Sequence, residues 1–219
     1  MTRTELAKPI LFNTDMTRAI LENIKMTTRR CVKPKQLIGF RPEKCPNGMP
    51  EEFIKEKSMM FLPYSHMEDA ELISASYKSP YKVGDVLYVR ETWADDRQFT
   101  HEDTAAQYFY RADFPIEGWS ECKEFKWRPS IHMPKEAARI FLKVTDVRVE
   151  RLQDITALDV IKEGAERYIH VDGSIDEHGT RTAFIGIWNS TIKKTELTLY
   201  GWDANPWVWR IEFERIEPD

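Results

Sequence analysis

The sequence predicts an α+β fold: a small curled or closed β-barrel with flanking helices. Three observations carry that expectation. Short runs of alternating apolar residues read as strands, helical stretches lie between them without a repeating strand-helix-strand period, and the closing run Trp207 to Ile216 alternates strictly. A chain of 219 residues with 42% hydrophobic and 12% aromatic content is long enough to bury a full core. Its seven tryptophans need either that core or a stacking partner. With no internal repeat and no flexible linker, residues 1–219 read as one domain carrying insertions.

Taken in order, Ile10-Leu11-Phe12 forms a first short strand. Met16, Ala19, Ile20 and Ile24 then share a helical face, with Asn13 or Thr14 as cap and Asp15 in the first turn. Lys25 follows at the end of that helix. Residues 33 to about 80 hold Pro34, Pro42, Pro46, Pro50, Pro63 and Pro80, the composition of a long insertion with little regular structure beyond a helix at 66–75. Val83-Gly84-Asp85 turns into a strand running from Val86 to Trp93. By parity Leu87, Val89, Glu91 and Trp93 share one face, and Val86, Tyr88, Arg90 and Thr92 the other. An inward Glu91 requires a cation such as Arg30 or Lys25; the alternative places it in water at the strand end.

A second, polar and aromatic excursion covers 94–135, with a short strand at 107–111 and a Trp127-Arg128-Pro129-Ser130 segment edging a site. The long strand from Arg139 to Arg151 changes parity between Val144 and Val147, so a bulge is expected near Thr145-Asp146. A helix from Thr156 to Glu163 stops at Gly164. After the His170 to Thr180 loop, Thr182 to Lys194 reads as another helix, with Trp188 in the core. The final strand is expected to bury Trp207, Trp209, Ile211 and Phe213 and to expose its charges.

The net charge is −4, yet residues 25–44 carry a local +6 against −10 elsewhere. That asymmetry disfavours an extended duplex and suits a small anionic ligand or a short single strand. Cys31, Cys45 and Cys122 form no close pair, so a cytoplasmic setting is expected and no disulfide framework; a mixed zinc site with His66 or His132 lacks ligand spacing. No metal or cofactor is expected. The start leads into no long apolar run, so neither a signal peptide nor a membrane span is expected.

The most reactive composition lies in Lys25-Met26-Thr27-Thr28-Arg29-Arg30. Its cations can grip a carboxylate or phosphate, and a threonine beside a lysine can become a nucleophile. Polar, basic residues after a helix also complement its dipole and face water, which is the competing reading.

Pro9-Ile10-Leu11-Phe12, the Lys25 to Arg30 cluster, Gly84 to Trp93 and Asn205-Pro206-Trp207-Val208-Trp209 together resemble the ASCH domain family, most closely its larger bacteriophage and prophage members. The resemblance runs from residue 8 to 216, with 33–80 and 94–135 as insertions. It implies a PUA-like barrel, a fold associated with RNA and modified-base recognition, in a cytoplasmic protein of a bacterial host cell. Members of this family include an amidohydrolase that removes the acetyl group of N4-acetylcytidine, and RNA cleavage has also been associated with it. The catalytic set so implied is Lys25, Thr28 and Glu163, with Arg29, Arg30, Tyr88, Arg90, Glu91 and Trp93 as binding residues. Thr27 offers a competing hydroxyl.

Three functions follow as expectations. One is an amidohydrolase in which Thr28 attacks, Lys25 takes the proton and Glu163 positions water or shuttles protons. Another is a non-enzymatic module for a nucleotide, modified nucleoside or short single-stranded RNA. The third, a phage structural or interaction protein, leaves the Lys25 cluster unexplained.

Overall fold

The structure, a computed structural model, describes residues 5–33, 59–62, 75–96, 107–114, 125–165 and 168–218. In chain order these carry β1 (Lys8–Leu11), α1 (Thr14–Leu21), β2 (Thr27–Cys31), β3 (Met59–Leu62), β4 (Ala75–Lys78), β5 (Val86–Arg90), β6 (Trp93–Asp95), β7 (Tyr108–Tyr110), β8 (Phe141–Arg151), α2 (Ala157–Lys162), α3 (Glu177–Thr191), α4 (Leu197–Tyr200) and β9 (Trp207–Ile216). The main sheet runs β1-β5-β8-β9-β2; β1 and β5 are parallel and every other pair is antiparallel. Two antiparallel pairs, β3 with β4 and β6 with β7, stand apart from it. The protein is thus mixed α and β. No described helix is long and apolar enough to cross a membrane.

The sheet does not close into a barrel among the described residues, which corrects the closed form of the expectation. Strand β1 pairs only with β5, and β2 only with β9, so each keeps an open edge. What joins the two edges is a side chain: Arg30 Nη2 donates to the Leu11 carbonyl at 2.9 Å, and its guanidinium lies 5.4 Å from the Phe12 ring centre. Phe12 in turn packs against Phe213 of β9, so the two ends of the sheet share one core.

That core holds Ile10, Phe12, Ile20, Leu87, Val89, Leu142, Val144, Trp209, Ile211 and Phe213 on one face of the sheet. The opposite face is covered by α2 and α3, where Leu152, Ile155, Val160, Phe184, Trp188 and Val208 form a second cluster. Strand β9 is therefore buried on both faces over its first half. For this reason Arg210 is buried rather than exposed as the alternation predicted.

Several local expectations match. The register of β8 slips between Val144 and Asp146, which lets apolar residues face inward on both sides of the bulge. Gly84 adopts φ +87° in the turn into β5, where Asp85 Oδ2 accepts the Lys82 N–H at 2.8 Å. Asn13 caps α1 through the Met16 N–H. The helix expected from Thr156 to Glu163 spans Ala157–Lys162, with Thr156 as its cap in a capping box with Asp159, which the sequence reading did not anticipate.

Others need correction. The strand predicted to run unbroken to Trp93 breaks at Glu91-Thr92 into β5 and β6, because Trp93 onward pairs with β7 and Arg128 instead of the main sheet. The helix predicted from Thr182 spans Glu177–Thr191, set earlier by an Asp176 cap on the Gly179 N–H. The 33–80 insertion carries the β3–β4 pair, and the helix expected at 66–75 lies outside the described residues up to Ala75, which belongs to β4.

Gly164 ends α2 at φ +84°, and a Cβ there would lie 2.8 Å from Ala19 Cβ and 3.2 Å from Lys25 Cβ. Nearby, the Met26 N–H donates to the Lys162 carbonyl at 2.8 Å, so α2 abuts the α1–β2 connection at backbone distance. Gly164→Ala is accordingly expected to lower stability by about 1–3 kcal/mol, through backbone strain and overpacking together. Urea denaturation followed by tryptophan fluorescence measures it.

Candidate active site at the open edge of the sheet

Strand β2 is short and polar, yet it is buried because it lies between the sheet and two helices. Alternation sends Thr27, Arg29 and Cys31 to the face covered by α2 and α3, and Thr28 and Arg30 to the face of the main core. On the first face lies a chain of charges. Arg29 Nη1 donates to Glu163 Oε1 at 2.9 Å and Arg29 Nε to Glu150 Oε1 at 2.7 Å. Arg210 Nη2 meets Asp159 Oδ1 at 2.8 Å and Glu212 Oε1 at 2.7 Å. Arg29 Nη2 sits 2.6 Å from Glu150 Oε1 but makes no well-directed hydrogen bond.

Lys25 completes the arrangement from the connection before β2. Its Nζ donates to Glu163 Oε2 at 2.8 Å and to the Glu163 carbonyl at 2.6 Å, and its side chain has no exposed surface. Glu163 thus holds one cation on each carboxylate oxygen. Burial pushes the Lys25 amine below its ordinary value, with Arg30 and Arg29 adding to the effect while Glu163 opposes it. Burial also raises Glu150, against the pull of Arg29.

A pocket of about 180 Å³ opens beside these groups. Thr28, Arg29, Arg30 and Glu163 form its polar wall; Met16 and the Asn13 cap of α1 stand at one side, and Phe184, Ile187, Trp188, Ser190 and Thr191 of α3 at the other. Lys25 is not part of the wall and lies behind Glu163. This volume is below the roughly 300–1,000 Å³ of sites for drug-sized ligands and leaves room for about one planar ring.

Of the residues expected from sequence, Lys25, Thr28, Arg29, Arg30 and Glu163 therefore come together. Tyr88, Arg90, Glu91 and Trp93 do not line this pocket. Tyr88 lies under Lys135, and Arg90 donates to the carbonyls of Met133, at 2.9 Å, and Ile131. Trp93 is packed with Met133 and Ala137 beneath the Arg128 guanidinium. Glu91 is buried as its parity suggested, but its cation is Arg139, at 2.9 and 3.1 Å, and not Arg30 or Lys25. Burial raises the Glu91 carboxyl despite that partner. Thr27 is buried with its hydroxyl unpartnered and does not line the pocket.

The sequence reading missed Glu150, Asp159 and Arg210, and it missed α3 as a wall. Asp159 carried a visible signal, standing three residues after Thr156 as a capping box requires. Among the described residues no group of three His, Cys, Asp or Glu side chains is placed to hold a metal ion. No family model matches the chain, nor does any curated protein or solved structure.

Because the folded-state pKa of Lys25 is lowered, the unfolded chain binds more protons between that value and 10.5. Stability should therefore rise with pH through this alkaline window, and the contribution is lost as pH falls through the folded value. Lys25→Met is expected to flatten the rise, measured as urea midpoints between about pH 7 and 10.5.

Proposed function

We propose that this chain is an ASCH-type protein of PUA-like descent, of phage or prophage origin, that takes a modified nucleobase into the β2 pocket and hydrolyses an N4-acylated cytidine. One observation supports the reading above the others: Thr28 and Glu163 share the wall of a base-sized pocket, while Lys25 and Arg29 hold Glu163 out of solvent. A lysine serves as proton acceptor when its pKa is lowered towards neutrality, and the burial of Lys25 acts in that direction.

In this reading the Lys25–Glu163 pair first gives up one proton, leaving the Lys25 amine neutral; the Thr28 hydroxyl then attacks the amide carbonyl, and its proton passes by way of Glu163 to that amine. The Thr28 oxygen–carbon bond forms as the carbon–nitrogen bond breaks, and the leaving N4 nitrogen takes from the base the proton that Thr28 gave up. Water then cleaves the acyl-threonine, releasing the carboxylic acid and restoring the hydroxyl. Arg30, whose Nη2 is bonded to Leu11, borders the pocket as a fixed positive group for the developing oxyanion.

A module that binds the nucleoside without breaking a bond is favoured by a different observation: Lys25 Nζ is already bonded twice to Glu163 and lies outside the pocket wall. Incubation with N4-acetylcytidine separates the two. The enzyme releases cytidine and acetate, and Thr28→Ala lowers kcat/KM at least about 100-fold while leaving the urea midpoint nearly unchanged. Binding without turnover in the native protein identifies the module.

A further inference from the structure

Strand β2 offers the pocket more than its side chains. Its ladder with β9 is fixed at both ends, where the Phe213 N–H donates to the Met26 carbonyl at 3.0 Å and the Val32 N–H to the Trp207 carbonyl at 2.9 Å. Between them Thr28 and Arg30 must direct their peptide groups at β9, and Arg29 must direct its N–H and carbonyl outward from the sheet. No described residue bonds either of those two groups. Arg29 is nonetheless only 3% exposed and lines the pocket. An outward-facing strand edge beside a pocket can be extended by a molecule that presents the complementary donor and acceptor.

The shape of that partner follows from the ladder. One residue of an edge strand presents a donor and an acceptor side by side in a single plane, and a neighbouring strand answers with the complementary pair. A peptide strand needs length along the edge. Here the pocket has room for about one ring, and Lys162 already takes the Met26 N–H at one end. A fully ionised phosphate ester has no donor for the Arg29 carbonyl. A planar heterocycle with adjacent acceptor and donor atoms on its rim satisfies both groups, with Phe184 and Trp188 supplying apolar and aromatic wall.

We infer that the Arg29 peptide unit reads the Watson–Crick rim of a pyrimidine base by extending the sheet with it. The inference rests on the nucleobase reading of the pocket given above. The N–H of Arg29 meets the ring N3 of a cytosine, and its carbonyl accepts the N4–H. The substrate is thereby selected by main-chain atoms, so the selection is independent of the identity of the Arg29 side chain, which is committed to Glu150 and Glu163.

Calorimetric titration of the full chain with cytidine, 5-methylcytidine, N4,N4-dimethylcytidine and ribose 5-phosphate tests this, together with amide exchange by NMR. Cytidine and 5-methylcytidine are expected to bind. N4,N4-dimethylcytidine, which lacks the rim donor, is expected to bind at least about tenfold more weakly, and exchange of the Arg29 amide should slow at least about tenfold on binding cytidine. Equal affinity for the dimethylated base, or an unchanged Arg29 amide, overturns the inference and leaves the nucleobase pocket standing. If no nucleoside binds, or ribose 5-phosphate binds as well as cytidine, both readings fall.

Discussion

Glu163 between Lys25 and Arg29 is the interaction on which the rest of this structure depends. Each carboxylate oxygen holds one cation, and the carbonyl of the same residue takes a second bond from Lys25. Removing a buried ion from water is expensive, and removing one member of a buried pair exposes the cost carried by the other. The arrangement is tolerable because it is balanced. Lys25, Arg29, Arg148 and Arg210 face Glu150, Asp159, Glu163 and Glu212, four charges of each sign linked by contacts of 2.6–3.8 Å. A polar strand such as Thr27–Cys31 can be interior only because those charges meet it there.

The curled sheet and the two covering helices are what bring the members of this set together. Lys25 comes from the connection before β2, Arg29 from β2 itself, Glu150 from β8, Arg210 from β9, Asp159 from α2 and Glu163 from its C-terminal cap. The glycine after Glu163 allows α2 to approach Ala19 and Lys25 at a distance no side chain would permit. The pocket is then what remains between the edge of β2 and α3, small because both walls are held by these contacts.

The spacing of Lys25, Thr28 and Arg30 and the cap signals around Thr156 and Gly164 were readable in the chain, since both are local. The mixed architecture, the bulge in β8 and the burial of Glu91 were readable from periodicity. What periodicity cannot supply is the identity of distant partners. Glu91 pairs with a residue 48 positions away at the approach to β8, and nothing in the run from Val86 to Trp93 marks the point where the strand leaves one sheet for another. The α3 pattern placed Trp188 inside correctly, and Phe184 is buried beside it. That same face also borders the pocket, and a hydrophobic pattern does not distinguish a wall packed against protein from one that borders a cavity. Arg210 was misread because strict alternation describes a sheet with one wet face, whereas α2 and α3 cover the second.

Asp159 belongs to two systems at once. Its carboxylate accepts the Thr156 N–H and hydroxyl that begin α2, and it also pairs with Arg210 at 2.8 Å and stands 3.8 Å from Arg29. The signal that starts the helix and the charge that neutralises the sheet are therefore a single side chain. Without α2, Arg210 keeps Glu212 as its anion but loses Asp159; without β9, Asp159 keeps its bonds to Thr156 but loses Arg210. Helix initiation and strand docking therefore draw on the same carboxylate, which ties the start of α2 to the position of β9 beside the pocket.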